Sequence, residues 1–351
     1  MPSAWFLRKG TAKSGFRYVS ESGAAVSRAA KARAEGLVLP PAWRDVHIAT
    51  SPGAAVQAWG YDAKGRKQYR YHDQAVERGA LRKYYRVRQL GRDLPTIRRT
   101  LRDDFAGREL TKERVTAGVV RLIGTGFFRV GSERYAKENK TFGITTLRKS
   151  HVEVDGDLAT FEYVGKKSIA QRQVVADREL ARFVGELLET PGRRLFQYRT
   201  PSGWCELTAR DVNDYLHRLV GVPYTAKDFR TWGGTLRAAT VLAELGPAAT
   251  PTEAKRNVMT AIRLVAAELG NTPTICRASY VHPLVIGKYL DEGETIRLAA
   301  GRKRSAGKAD ATKEGGHAEE ERALLRFLDR HFPERRRKPR SDDESDASRA
   351  A

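Results

Sequence analysis

The chain has 351 residues, and its 64 Lys and Arg against 42 Asp and Glu give a formal net charge of +22, which favours nucleic acid as the partner over an anionic membrane. A mean hydropathy of −0.54, no run of about 18 apolar residues and no apolar signal-peptide core in MPSAWFLRKG argue against a membrane protein, and we expect a cytoplasmic one. Two cysteines, Cys205 and Cys276, exclude a disulfide framework, and no Cys or His falls at zinc-ligand spacing.

The first 75 residues predict strands joined by hairpins, because short aromatic and β-branched runs alternate with Gly-containing turns. These runs are WFLRKG, FRYVS, VHIATS, VQAWGYD and RKQYRYH. From about Asp73 the sequence becomes a basic helix, which we interpret as the joint between two domains. Its apolar positions at helical spacing are Val76, Leu81, Tyr84 and Val87.

A core helix follows Thr111, with an apolar stripe that ends at Gly124 and Gly126. The stripe consists of Val115, Val119, Leu122 and Ile123. The next runs, HVEVDGD, LATFEYVG and SIAQRQVV, predict a three-stranded antiparallel meander at about residues 151–175, with Lys166 in its second turn.

Two further helices are predicted, one after Thr208 and one after Thr250. In the second, Pro251 stands at the first helical position and Gly270 at the end. Tyr280 lies just past this helix, in a polar and cationic turn. The sequence thus predicts an α+β protein with three parts. They are a β-rich N-terminal domain (1–77), a larger, mostly helical domain with the three-stranded sheet (78–300), and a basic then acidic tail (301–351), largely disordered with one short helix, ERALLRFLDRHF.

Two arginines occur in apolar sequence contexts that solvated arginines rarely have. Arg129 directly follows two phenylalanines, and Arg230 stands between Phe229 and Trp232. A cation in such a frame needs a partner. One interpretation is a structural ion pair with a carboxylate such as Glu133 or Asp228; the other is a phosphate, which arginine binds in bidentate fashion.

Three further residues have an ordinary and a chemical interpretation. Lys166 fits a solvated turn lysine, Asn271 a residue that ends a helix, and Tyr280 a half-buried aromatic. A tyrosine held against a phosphodiester can also act as a nucleophile, and a lysine can protonate a leaving oxygen.

The order and wording of these segments resemble a known family. FFRVGSERYAKENKTFGITTLRKSHVEV, EYVGKK, AKDFRTWGG and LGNTPTICRASY are similar to successive active-site blocks of type IB DNA topoisomerases, in particular the short bacterial enzymes of poxvirus type, within the eukaryotic-like topoisomerase I family. The segment VQAWGYDAKGRKQYRYH resembles the DNA-contacting hairpin of that group. The resemblance covers roughly Trp5 to Leu290.

The resemblance implies that Tyr280 is the nucleophile and forms a 3′-phosphotyrosyl link to one DNA strand. Arg129 and Arg230 would stabilise the transition state, and Lys166 would protonate the departing 5′-oxygen. Asn271 is also assigned as catalytic, although other members of the family have histidine there; an amide can donate a hydrogen bond but adds no positive charge. DNA-binding roles are implied for Gln68, Tyr69, Tyr71, Tyr135 and Lys227.

The resemblance further implies the fold shared with tyrosine recombinases and a nucleoid-associated monomer that clamps duplex DNA. Neither nucleotide nor metal cofactor is expected, since the chain has no GxxxxGK[ST] loop and no acidic ligand cluster. Tyrosine recombinases usually have histidine at the position of Lys227, which disfavours a site-specific recombinase. That alternative and a non-enzymatic DNA-binding protein remain open, and His282 is expected to be an ordinary histidine at the start of a helix.

Overall fold

The N-terminal part of the chain forms one antiparallel sheet, which confirms the five predicted strands. The structure is a computed structural model that describes residues 5–298 and 316–332. The strands are β1 (Trp5–Thr11), β2 (Gly15–Ser20), β3 (Arg44–Ala49), β4 (Val56–Tyr61) and β5 (Lys67–Tyr71), in the order β2-β1-β3-β4-β5. Contacts divide the chain into two units, Met1–Tyr84 and Tyr85–Ala351.

One face of this sheet packs against a helix that the sequence did not predict. Helix α1 (Arg28–Gly36) begins after Ser27, whose side chain accepts a hydrogen bond from Ala30 N. The small core between helix and sheet is formed by Ala34, Val46, Ile48 and Ala58. The helix was missed because RAAKARAEG contributes one buried residue and so has no apolar stripe to detect.

Helix α2 (Asp73–Phe105) is longer than the predicted basic helix and continues through Pro95. Of the four apolar residues at helical spacing, Val76 and Leu81 are 55% and 39% exposed. Tyr84 and Val87 are buried, and the buried positions of the helix begin at Tyr84. The spacing of apolar residues in the sequence could not show at which residue of this helix burial begins.

The core of the second unit is built on α3 (Lys112–Gly126), which confirms the prediction. Thr111 caps its first turn by accepting from Arg114 N, and the four predicted stripe residues are fully buried. The predicted meander is also confirmed as β6 (Val152–Asp155), β7 (Leu158–Val164) and β8 (Ala170–Ala176), in the order β6-β7-β8. A second hairpin, β9 (Gln197–Thr200) with β10 (Gly203–Glu206), was not predicted.

Helices make up most of the rest of this unit. They are α4 (Glu133–Glu138), α5 (Arg178–Leu188), α6 (Ala209–Val220), α7 (Ala226–Leu245), α8 (Pro251–Leu269), α9 (Pro273–Ser279) and α10 (Pro283–Glu292). None of the helices in the described part of the chain has both the length and the hydrophobicity that a membrane span requires.

The one short helix predicted in the tail is α11 (Glu319–His331). Its Leu324 and Leu328 are buried, and Glu321 accepts two hydrogen bonds from Arg98 of α2 at 2.7 and 2.8 Å. The other tail predictions, for residues 301–315 and 333–351, lie outside the described residues.

Candidate active site

Four of the five predicted catalytic residues lie on segments of the second unit that meet. Arg129 follows the end of α3, Arg230 is in the first turns of α7, and Asn271 comes directly after Gly270, the left-handed cap of α8. Tyr280 ends α9, so the segment expected to be a polar turn is largely a short helix, begun by Thr272 and Pro273. The sequence did contain a signal for this helix: Thr272 followed by Pro273 is the same N-cap and first-position pair that begins α8.

Both arginines are held by backbone carbonyls at the end of α8. Arg230 Nη2 donates to Leu269 O at 2.8 Å, and Arg129 Nη2 donates to Gly270 O at 2.7 Å. Arg230 Nη1 also donates to Phe127 O. The last carbonyls of a helix have no partner within the helix and carry its partial negative charge, so they suit arginine donors.

Neither arginine forms an ion pair with a carboxylate among the described residues, so the structural-pair interpretation is wrong for both. Asp228 pairs with Arg86 at 2.9 Å, and Glu133 pairs with Arg194 at 2.8 Å. Arg230 is 2% exposed, and within the described chain its Nε has no hydrogen-bond partner. Two positive charges therefore stand together without a neutralising acid.

The amide of Asn271 is oriented by Arg129. Its Oδ1 accepts from Arg129 Nη2 at 2.6 Å, and because arginine can only donate, the oxygen must face it. The other end of the amide, Nδ2, is buried and makes no hydrogen bond within the described residues. Asn271 thus offers a spare donor, which the sequence suggested and could not orient.

The Tyr280 ring lies against Arg230, with the guanidinium carbon 5.2 Å from the ring centroid. Its backbone rests on α7: a Cβ added at Gly234 would lie 2.8 Å from Tyr280 O, and the hydroxyl of buried Thr235 accepts from His282 N at 3.0 Å. Sequence reasoning missed both positions, because their role depends on how α7 meets this segment.

Burial shifts the pKa values of Arg230, Tyr163 and Cys276, which lie together at the end of α8. Burial lowers the pKa of Arg230, and the nearby charge of Arg129 lowers it further, yet arginine remains protonated because its ordinary pKa is so high. Burial raises the pKa of Tyr163 to about 12 and also raises that of the Cys276 thiol. The cluster is therefore net positive at pH 7 and suits a phosphate.

Lys166, the fifth predicted catalytic residue, is not in contact with the other four. It is exposed in the turn between β7 and β8, and its side chain makes no hydrogen bond or ion pair within the described residues. The two residues after it, Lys167 and Ser168, have left-handed φ angles of 64° and 57°. Such angles are unusual for residues other than glycine and give the turn its particular shape.

The base of this turn touches the cluster through a residue that the sequence analysis missed. Gln171, on β8, is 5% exposed, and its Oε1 accepts from Arg129 Nη1 at 3.2 Å. The alternating burial along β8 is the signal that could have identified an inward-facing amide.

The predicted DNA-binding residues all lie outside the cluster. On β5, Tyr69 and Tyr71 are 47% and 46% exposed, and Gln68 donates to Asp62 at 2.9 Å. In the second unit, Tyr135 on α4 and Lys227 in the first turn of α7 are exposed.

His282 is the N-cap of α10, as expected, and its Nδ1 accepts from Leu284 N at 3.2 Å. Within residues 5–298 and 316–332, no group of three or more His, Cys, Asp or Glu could hold a metal ion.

A tyrosine packed against the buried Arg230, with the half-buried Arg129 beside it, on a helical unit that carries a three-stranded sheet, is an arrangement that suits an enzyme acting on phosphodiesters. Comparison with known proteins agrees. The family profile of the eukaryotic DNA topoisomerase I catalytic core matches residues 73–304, and that of the bacterial DNA topoisomerase IB N-terminal domain matches residues 15–62.

Relatives include the DNA topoisomerase 1B of Acanthamoeba polyphaga mimivirus, 30% identical over 270 residues that cover 75% of this chain and 80% of the relative. The DNA topoisomerase 1B of vaccinia virus (strain Copenhagen) is 26% identical over 243 residues, 66% of this chain and 72% of the relative. The chain belongs to the type IB DNA topoisomerase family. This confirms the predicted fold class, the predicted enzyme class and DNA as the substrate.

Proposed function

We propose that Tyr280 is the nucleophile of this topoisomerase and that Arg129, Arg230 and Asn271 stabilise the transition state at the scissile phosphate. The observation that carries the proposal is the set of donors around Tyr280 without an acidic partner: two guanidinium groups held by carbonyls, and a buried amide Nδ2 without a hydrogen bond among the described residues. Donors fixed in advance around a site of developing negative charge are a large source of rate enhancement.

The cleavage step breaks one bond and forms one. The phenol oxygen of Tyr280 attacks phosphorus, the bond from phosphorus to the 5′-oxygen breaks, and a 3′-phosphotyrosyl ester forms. The phenol proton leaves to water, and the Lys166 ammonium gives a proton to the 5′-oxygen. Lys166 is exposed in its turn and lies apart from the other four residues. We therefore propose that DNA binding brings its ammonium group to the leaving oxygen.

Rejoining the strand is the reverse of this step. The phosphotyrosyl ester keeps the energy of the phosphodiester that it replaces, so religation needs no nucleotide, and the arginines supply positive charge at the phosphate. While the strand is open, its free end rotates about the intact strand, which relaxes supercoils of either sign. We further propose that the protein acts as a monomer that clamps the duplex.

We assign DNA contacts to exposed residues outside the cluster. Tyr69 and Tyr71, together with Gln68 on the same strand, would enter the major groove, whose width admits a two-stranded ribbon. Tyr135 would lie near the scissile strand, and Lys227 would assist at the phosphate.

The direct test is to trap the covalent adduct. The protein is mixed with labelled suicide DNA, in which the short cleaved end diffuses away, then denatured and digested, and the labelled peptide is sequenced. We expect label on Tyr280 and none with Tyr280→Phe, whereas the matched variant Tyr198→Phe should form adduct normally. Label elsewhere, or an adduct with Tyr280→Phe, would refute the assignment.

A plasmid assay separates the proposal from its alternatives. The protein alone, with EDTA and without ATP, should convert positively and negatively supercoiled plasmid into relaxed topoisomers. Recombinant products would indicate a site-specific recombinase. Salt-dependent binding without any relaxation would indicate a non-enzymatic DNA-binding protein.

A further inference from the structure

Gln171 touches three of the segments to which the proposed function assigns catalytic roles. It lies on β8 opposite Tyr163, next to the turn that carries Lys166, and it is 5% exposed. An amide so well buried in a basic protein needs partners for both of its ends.

The two ends of the amide bind different segments. Oε1 accepts from Arg129 Nη1 at 3.2 Å, and Nε2 donates to the carbonyl of Ala170 at 3.1 Å. Since arginine cannot accept a hydrogen bond, the oxygen must face Arg129 and the NH₂ group must face the hairpin. The side chain therefore bridges the hairpin of Lys166 to Arg129.

The Gln171 side chain also packs closely against the same two segments. A Cβ added at Gly165, the residue directly before Lys166, would lie 2.6 Å from Gln171 Cγ. A Cβ added at Gly270, directly before Asn271, would lie 2.0 Å from Gln171 Oε1. The side chain fills a slot between these two glycines, each of which precedes a predicted catalytic residue.

We infer that Gln171 is a positioning residue that sets the hairpin of Lys166 in register with Arg129, so that both act on the same phosphate. The inference rests on the proposed function. The Lys166 side chain makes no hydrogen bond or ion pair within the described residues, so its placement depends on how the turn is anchored. Gln171 is an anchor at the base of that turn that also touches the arginine cluster.

The test uses Gln171→Met, which keeps the length of the side chain and removes both hydrogen bonds. The matched control is Gln173→Met, because Gln173 lies on the same face of β8 and is 8% exposed. Single-turnover cleavage is measured with two suicide DNAs, one with the normal 5′-oxygen and one with sulfur at that bridging position. A thiolate leaves without protonation because thiols have far lower pKa values than alcohols, so the sulfur DNA bypasses Lys166.

We expect Gln171→Met to slow cleavage of the oxygen DNA about 10- to 100-fold, the effect of losing a hydrogen bond to a charged group. On the sulfur DNA the factor by which Gln171→Met slows cleavage should be at least about threefold smaller than on the oxygen DNA, since only the displacement of Arg129 remains. Gln173→Met should cleave both DNAs at nearly the normal rate, and noncovalent DNA binding should be unchanged in both variants.

Equal rates for the two variants, or equal slowing of Gln171→Met on both DNAs, would overturn the inference. Gly165→Ala is the second variant if Gln171→Met does not fold: its φ of −94° suits alanine, and the new methyl group would push against Gln171. It should show the same preference for the sulfur DNA, and no preference would also overturn the inference. Failure of the unaltered protein to form any adduct would instead refute the proposed function.

Discussion

The sharpest prediction concerns Asn271, whose amide is held by Arg129 at one end and is free of hydrogen bonds, among the described residues, at the other. Asn271→Leu keeps the approximate shape of the side chain and removes the Nδ2 donor together with the Oδ1 acceptor of Arg129. Loss of one such donor at a developing oxyanion costs about 2.7–4 kcal/mol, or roughly 10²- to 10³-fold in rate. We expect Asn271→Leu to slow cleavage by that factor.

Asn271→Asp should be worse than Asn271→Leu, although it is the closer isostere. Its carboxylate would still accept from Arg129, at the position where Oδ1 now lies 2.6 Å from Nη2, and would place a negative charge where, in our proposal, Nδ2 donates to the phosphate. Two unit charges about 4 Å apart interact by about 4 kcal/mol at an effective dielectric constant of about 20. Arg129 offsets part of this repulsion, so we expect at least about a further tenfold loss of rate.

The assay is single-turnover formation of the covalent adduct on suicide DNA. Binding is measured separately in a Tyr280→Phe background, so that cleavage does not perturb it. The control is Asn257→Asp, the same change of amide to carboxylate on α8 at a residue that bonds the hydroxyl of Tyr289. That control should cleave at the normal rate.

Asn271→Asp cleaving as fast as Asn271→Leu, or faster, would refute this argument. It would mean that the amide NH₂ does not face the phosphate, and that Asn271 serves only to hold Arg129.

Three further predictions follow from local geometry. Arg230→Lys should reduce cleavage roughly 10²-fold in the same assay, because a single ammonium cannot reach Phe127 O and Leu269 O together and still serve the phosphate. Gly234→Ala should slow cleavage strongly and change the melting temperature little, since its methyl group would meet the carbonyl of Tyr280 at 2.8 Å. A large fall in melting temperature together with the slower cleavage would contradict this. The Asp62 carboxyl, held by Arg66 and by the backbone of its turn, has a pKa of about 2 against an ordinary 3.8. Its contribution to stability is therefore present above about pH 4 and lost as the pH falls towards 2, which a carboxyl NMR titration and acid unfolding of Asp62→Asn should reveal.

The elements that the sequence predicted well are those whose signal is local. The stripe of α3 and its Thr111 cap, the meander of β6 to β8 and the start of α8 each depend on spacing within about fifteen residues, and all are present. Helix α1 was missed, and the sequence did not show that the start of α2 is exposed, because burial depends on residues that are distant along the chain. A period shows which face of a helix is apolar, and not whether anything covers it.

The site shows the same division. The resemblance of successive sequence blocks to a known family named Arg129, Arg230, Asn271 and Tyr280, together with Lys166, as a group. They could not show what holds the arginines, because the acceptors are main-chain carbonyls at Phe127, Leu269 and Gly270, which have no residue-type signature. The carboxylates that the sequence offered instead, Glu133 and Asp228, are occupied by other arginines.

The choice of carbonyls over carboxylates has a consequence for function. A carboxylate would hold an arginine more strongly and would also cancel its charge, leaving little attraction for phosphate. The carbonyls at the end of α8 orient Arg129 and Arg230 through partial charges, so most of the positive charge remains available. Two like charges kept close in a buried place destabilise the free protein, and a bound phosphate relieves that repulsion. The same repulsion between Arg129 and Arg230 therefore favours binding of a phosphate, the group on which we propose that Tyr280 acts.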